Sequence, residues 1–107
     1  MMEENLERTF SRDPYQQMGG YVKRCMGVNI YCKLENPPGL RIQEFFAGGR
    51  RLDPDAVYRA AFVTGQGVPP KYGRNRENLE IHAIEALERY LAKGPVSAEL
   101  RGSVTAI

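Results

Sequence analysis

The chain has no tryptophan, one histidine and two cysteines, and each scarcity closes off some chemistry. With a single imidazole and no Cys-x-x-Cys pair, a metal site built from histidine and thiolate lacks its ligands. Cys25 and Cys32 are too few for a disulfide framework. Two buried free thiols are the expected state, with one bridge as the open alternative. No apolar run is long enough to cross a bilayer, so no transmembrane helix and no membrane partner are expected. The acidic, polar start Met1-Met2-Glu3-Glu4-Asn5 is unlike a secretory signal. Fifteen basic residues against thirteen acidic ones leave a formal charge of +2, too little to favour nucleic acid as a partner. The lone His82 falls within a helical pattern, where a structural role is expected of it. No Ser or Thr has a neighbouring base, so a nucleophilic triad cannot be assembled.

What is present reads as an α+β chain. Its 107 residues make one domain or a piece of one, with a modest core. Residues 4–12 read as a short helix: Leu6 and Phe10 are spaced i, i+4, and Asp13-Pro14 stops it. Residues 21–25 read as a short strand, which Gly27 either breaks or marks with a bulge. The clearest strand covers residues 28–34, with Val28, Ile30, Cys32 and Leu34 on one face and Asn29, Tyr31 and Lys33 on the other. After the breaker-rich turn Glu35-Asn36-Pro37-Pro38-Gly39, residues 41–46 form the next strand, and Ala47-Gly48-Gly49-Arg50 reads as a hairpin turn. A second turn at Leu52-Asp53-Pro54-Asp55 leads into a β-branched and aromatic stretch, residues 57–63, which suits a buried strand. Residues 79–93 carry the one strong helical pattern. Ala83, Ile84, Leu87 and Leu91 make its apolar stripe, Asn75 or Asn78 is the expected cap, and Gly94-Pro95 ends it. A last strand, residues 100–107, is expected near a sheet edge. The expected order is αββββαβ, a mainly antiparallel or mixed sheet of about five strands with two packed helices.

The stretch most open to a ligand follows residues 57–63. Thr64-Gly65-Gln66-Gly67-Val68-Pro69-Pro70-Lys71-Tyr72-Gly73 holds three glycines and two prolines in ten residues, a composition that lets a ligand approach the backbone. Phe62, just before it, either belongs to the core or offers a stacking surface. Gly65-Gln66-Gly67 is too short for a phosphate loop and lacks a following Lys-Ser/Thr. Arg50, Arg51, Lys71, Arg74 and Arg76 are either solvated loop charges or an attraction for an anion. Asp53 and Asp55 flank Pro54 as turn formers. These residues permit a binding module and speak against a self-contained enzyme.

The order of motifs is similar to that of a known family. Gly19-Gly20-Tyr21-Val22-Lys23-Arg24 followed by Gly27-Val28-Asn29-Ile30-Tyr31 resembles the "G-[EF]-[FL]-x-Q-V-x-G-[IL]-x-[FVY]" passage of the 5′-nucleotidase C-terminal domain. Pro38-Gly39-Leu40-Arg41-Ile42 resembles its "P-G-x-R-V". The run from Gly48 through Leu52-Asp53-Pro54 to Tyr58 and Ala61 resembles "N-G-K-P-L-D-P-x-x-x-Y-x-V-A", and the glycine loop falls where the family has "F-x-x-x-G-G-D-G". The resemblance spans about residues 6–107 and implies that the chain is a single partial domain, the later half of that C-terminal domain.

In this family, hydrolysis belongs to a separate metallophosphoesterase domain holding two divalent metal ions. The C-terminal domain grips the nucleoside between two aromatic rings. By motif those rings are Tyr21 and Phe62, and Gly65, Gln66 and Gly67 form the loop beside base and ribose. The implied ligand is therefore a nucleotide or nucleoside-like small molecule, and the implied partner is the catalytic domain; no catalytic residue and no metal ligand falls in this chain. Three departures stand out. The loop acid is missing, with Gln66 or Gly67 in its place; the first ring is Tyr rather than Phe; and the leading part of the domain, with its basic ligand-binding residues, has no counterpart. The thiosulfate-processing branch of the superfamily shares the domain. A rival expectation follows: an interaction or oligomerisation module of the same fold with a degraded ligand site, in which an uncovered sheet edge pairs two copies.

Overall fold

In the computed structural model of the chain, which describes residues 1–17, 25–63, 65, 68–97 and 104–107, the alternating sequence Val28–Cys32 is an inner strand of a sheet, β1. Ile30 and Cys32 point to the buried face and are 1% and 2% exposed, as the period-2 pattern requires. Strand β2, Ile42–Ala47, pairs antiparallel with β1, and a bulge lies where Tyr31 faces Glu44 but Cys32 faces Ile42. The short strand β3, Arg50–Arg51, pairs antiparallel with β2. Gly48 and Gly49 both have positive φ (58° and 77°), the geometry of the two-residue hairpin turn whose twist matches its strands. Strand β4, Val104–Ala106, runs parallel to β1 and occupies the other edge, giving the order β3-β2-β1-β4. The result is a four-stranded mixed sheet with two helices, an α+β fold.

Helix α1, Met2–Thr9, places Leu6 and Asn5 in the buried interior. Its anchor is Glu7. One carboxylate oxygen of Glu7 accepts the backbone N–H groups of Arg41 and Ile42 at 2.9 and 3.0 Å, and the other accepts that of Gly39 at 2.6 Å. Arg41, 4% exposed, answers by donating from Nη1 to the Glu7 carbonyl and from Nε to the Asn36 carbonyl at 3.1 Å. A buried guanidinium is tolerable only with such partners. Gly39, at φ +88° after Pro38, closes the turn that presents these N–H groups, with Leu40 donating to the Pro37 carbonyl at 3.0 Å.

The chain divides into two compact units, Met1–Tyr58 with Arg101–Ile107, and Arg59–Leu100. The sheet and α1 belong to the first. The second contains helix α2, Ala83–Leu91, and irregular segments.

Several expectations need correction. Residues 57–63 form no strand. Val57 and Val63 lie in exposed, irregular chain without a ladder partner among the described residues, and β propensity without a neighbouring strand does not make a strand. The described sheet therefore has four strands rather than about five, and β3 joins Arg50, expected to end the hairpin turn, to Arg51, for which no element was expected. Helix α2 begins at His82 as N-cap, not at Asn75 or Asn78. Asn75 instead takes the left-handed conformation, φ 53°, which Asn adopts more readily than most residues. No residue of α2 is buried, so its apolar stripe is a surface feature. The expected strand over residues 21–25 falls mostly outside the described residues, and Cys25 itself has no regular structure.

Candidate functional site

The most organised group in residues 59–100 is built around Phe62 and Arg76. The backbone first closes two small turns: Val68 donates to the Gly65 carbonyl at 3.1 Å, and Tyr72 donates to the Pro69 carbonyl at 3.0 Å. Pro69 and Pro70 stiffen this path by fixing φ. Three carbonyls of the loop then converge on the Arg76 guanidinium. Nη1 donates to Val68 O at 3.1 Å, Pro69 O at 2.9 Å and Tyr72 O at 3.3 Å, and Nη2 donates to Val68 O at 3.1 Å. The guanidinium carbon lies over the Phe62 ring, 4.8 Å from its centroid. Cation–π contact of this kind contributes about 0.5–1 kcal/mol at an exposed site.

Phe62 is not a core residue. It is 47% exposed, so a large part of its ring remains open beside the cation. A second cation–ring pair follows in the loop, with Lys71 Nζ 4.7 Å from the Tyr72 centroid. The Tyr72 hydroxyl is closed off from solvent and has no hydrogen-bond partner among the described residues.

Of the residues expected to bind a ligand, Phe62 and Gly65 are described here, and Gly65 contributes its carbonyl to the turn beneath Arg76. Tyr21, Gln66 and Gly67 lie outside the described residues, so the expected pairing of two rings is a matter for proposal. The five basic residues divide between the units. Arg50 and Arg51 form β3, where Arg51 bonds Glu44 at 2.7 Å and lies 5.9 Å from the Phe46 centroid. Phe46 in turn meets Tyr31 edge-on at 6.2 Å. Sequence reasoning grouped Arg76 with the other loop cations and missed its grip on the loop. Its only signal was an Arg a few residues beyond a Gly/Pro-rich stretch.

The remaining candidates have structural roles. Asp53 forms the expected turn: its Oδ1 accepts the Asp55 N–H at 3.0 Å and its carbonyl accepts that of Ala56 at 3.2 Å. The Tyr58 hydroxyl accepts the Asp53 N–H at 2.9 Å. His82 is exposed. Neither cysteine is in a disulfide; Cys32 is buried, while Cys25 is only partly so, with its thiol 3.6 Å from Met2 Sδ. Burial, and secondarily the Glu7 carboxylate, push the Cys32 thiol pKa up, so this group is a poor nucleophile. An open cleft of about 400 Å³ lies beside the end of α1, where Arg12 and Arg41 meet Asp13 and Glu35, so it offers no charge of one sign. Among the described residues no three potential metal ligands come together, and no helix is long and apolar enough to cross a membrane. No family model matches the chain, and no curated protein matches its sequence.

Proposed function

We propose that this chain is the substrate-gripping C-terminal portion of a 5′-nucleotidase-like metallophosphoesterase. It holds the nucleoside part of a nucleotide and is not catalytic by itself. The observation that supports this reading is the half-exposed Phe62 ring, backed by Arg76 and bordered by the loop that the family resemblance places beside the base. A flat heterocycle stacking on such a ring contributes about 1–3 kcal/mol. The family resemblance assigns the opposing ring to Tyr21 and the contact with the sugar to Gly65, Gln66 and Gly67. Two divalent metals in a separate metallophosphoesterase domain perform the hydrolysis, and this chain contributes positioning.

The test is calorimetric titration of adenosine and AMP into the wild-type chain and Phe62→Ala. Binding that weakens by about 1–3 kcal/mol in the variant supports the reading. An absence of binding, or binding indifferent to Phe62, overturns it. The chain should also show no phosphatase turnover with added divalent metal; clear turnover would refute the division of labour.

One observation favours a second reading, that of an interaction or oligomerisation module. Helix α2 leaves Ile84, Leu87, Tyr90 and Leu91 exposed along one stripe, with Ile84 at 73%. Soluble chains seldom leave such a stripe uncovered. This reading predicts a mass that rises with concentration in sedimentation, together with indifference to adenosine.

A further inference from the structure

We infer that Arg76 is the positioning residue of the Phe62 platform: it fixes the ring and the Val68–Tyr72 turn to each other. The role for a ligand rests on the nucleoside-binding reading above; the geometry does not.

An exposed arginine ordinarily spends its donors on water. Arg76 directs its two terminal nitrogens at three main-chain carbonyls of a loop four to eight residues earlier in the chain, all between 2.9 and 3.3 Å. The rigid fork of the guanidinium can reach several carbonyls while keeping its flat face free. That face rests on Phe62. The two contacts therefore share one rigid group, and the loop cannot shift against the ring without breaking one of them. Lysine could supply the charge but not both contacts, because an ammonium is a compact point donor with no flat face. Since the cation lies over one side of the ring, a base that stacks on Phe62 takes the side away from Arg76. Holding ring and loop in place before a ligand arrives lowers the ordering cost of binding.

The experiment compares the wild-type chain with Arg76→Lys and Arg76→Gln by amide hydrogen exchange and by the NMR shifts of the Phe62 ring protons, without ligand and then with adenosine. In both variants the amides of Val68 and Tyr72 should exchange faster by about tenfold, the loss expected when charge-assisted bonds to a loop are removed. The Phe62 ring signals should move, while the sheet amides of Lys33 and Leu52 stay protected. Those sheet amides are the control for unfolding, since they bond Arg41 O and Phe45 O in the other unit. Adenosine affinity should fall about tenfold in Arg76→Lys despite the retained charge. Unchanged exchange at Val68 and Tyr72 would overturn the inference, as would faster exchange with undiminished adenosine affinity. If the wild-type chain binds no adenosine, the nucleoside reading fails by itself, and the exchange and ring-shift results still decide whether Arg76 positions the ring.

Discussion

Glu7 joins α1 to the turn before β2 with a single carboxylate. Three backbone N–H groups at 2.6–3.0 Å converge on it, and no part of the β1–β2 ladder could satisfy the Gly39 donor in its place. Bonds to an ionised acceptor are roughly twice as strong as neutral ones. Glu7→Gln keeps one carbonyl oxygen but turns an N–H₂ group toward donors, so one of the three loses its acceptor. The expected loss is about 1–3 kcal/mol, read as a lower urea midpoint with an unchanged slope. A change within about 0.5 kcal/mol would mean that water replaces the carboxylate without cost. None of this was legible in the sequence, because Glu7 and Arg41 lie 34 residues apart. The same carboxylate bears on Cys32, where burial first and Glu7 second raise the thiol pKa above its ordinary value of 9.0. The folded chain thus holds the thiol proton more tightly than the unfolded chain. The sign follows: stability from this group is complete below about pH 9 and declines as pH rises through the folded pKa, because the unfolded thiol ionises first. Urea midpoints of the wild-type chain should fall more between pH 8 and pH 10 than those of Cys32→Ala; equal falls would sever that linkage.

Elements were legible where a periodic pattern met a partner. The alternation through Val28–Cys32 and the Gly48-Gly49 turn came out as read, because each carries its own local signal and β2 lies beside both. The β-branched run at residues 57–63 carried a comparable signal and failed, because a strand is completed by its neighbour and none pairs there among the described residues. Strand β3 was missed for the opposite reason: two arginines have no strand pattern, and only the hairpin places them on β2. Helix α2 was visible from its 3.6-residue period, yet that period predicted burial and the stripe is exposed. A direct consequence can be measured. Leu87, 55% exposed, should tolerate Leu87→Glu with a stability change of about 0.5 kcal/mol or less, whereas a core leucine would lose several. A loss above about 2 kcal/mol in dilute solution would show that the stripe is covered within the chain; a loss that appears only at high concentration would place the cover on a second copy.

For the molecule as a whole, charge separates the remaining readings. The formal charge is +2, and the basic residues that might have formed one cluster are divided between β3 and the loop around Arg76. Arg51 is paired with Glu44, while Arg76 keeps its charge and gives its donors to loop carbonyls. Among the described residues, cations and aromatic rings stand together at Arg51 and Phe46, at Lys71 and Tyr72, and at Arg76 and Phe62. The low charge was legible in the sequence, whereas Phe62 was left between a place in the core and a stacking surface, and it is 47% exposed. Sequence alone could not anticipate the cage around Arg76, which depends on how two turns fold back over a residue beyond them. A stacking grip and a single-stranded nucleic-acid groove then respond differently to salt. Stacking on a neutral nucleoside releases no counterions, whereas each neutralised phosphate in a strand contributes a slope of about −0.7 in the logarithm of affinity against the logarithm of salt. Adenosine affinity should therefore change by less than about twofold between 50 and 300 mM salt, and a short oligonucleotide should bind no more tightly than AMP. An oligonucleotide that binds far more tightly at low salt and is lost at high salt would move the function from gripping one nucleotide to tracking a strand, and the role of Arg76 would move with it, from positioning a ring to neutralising a backbone.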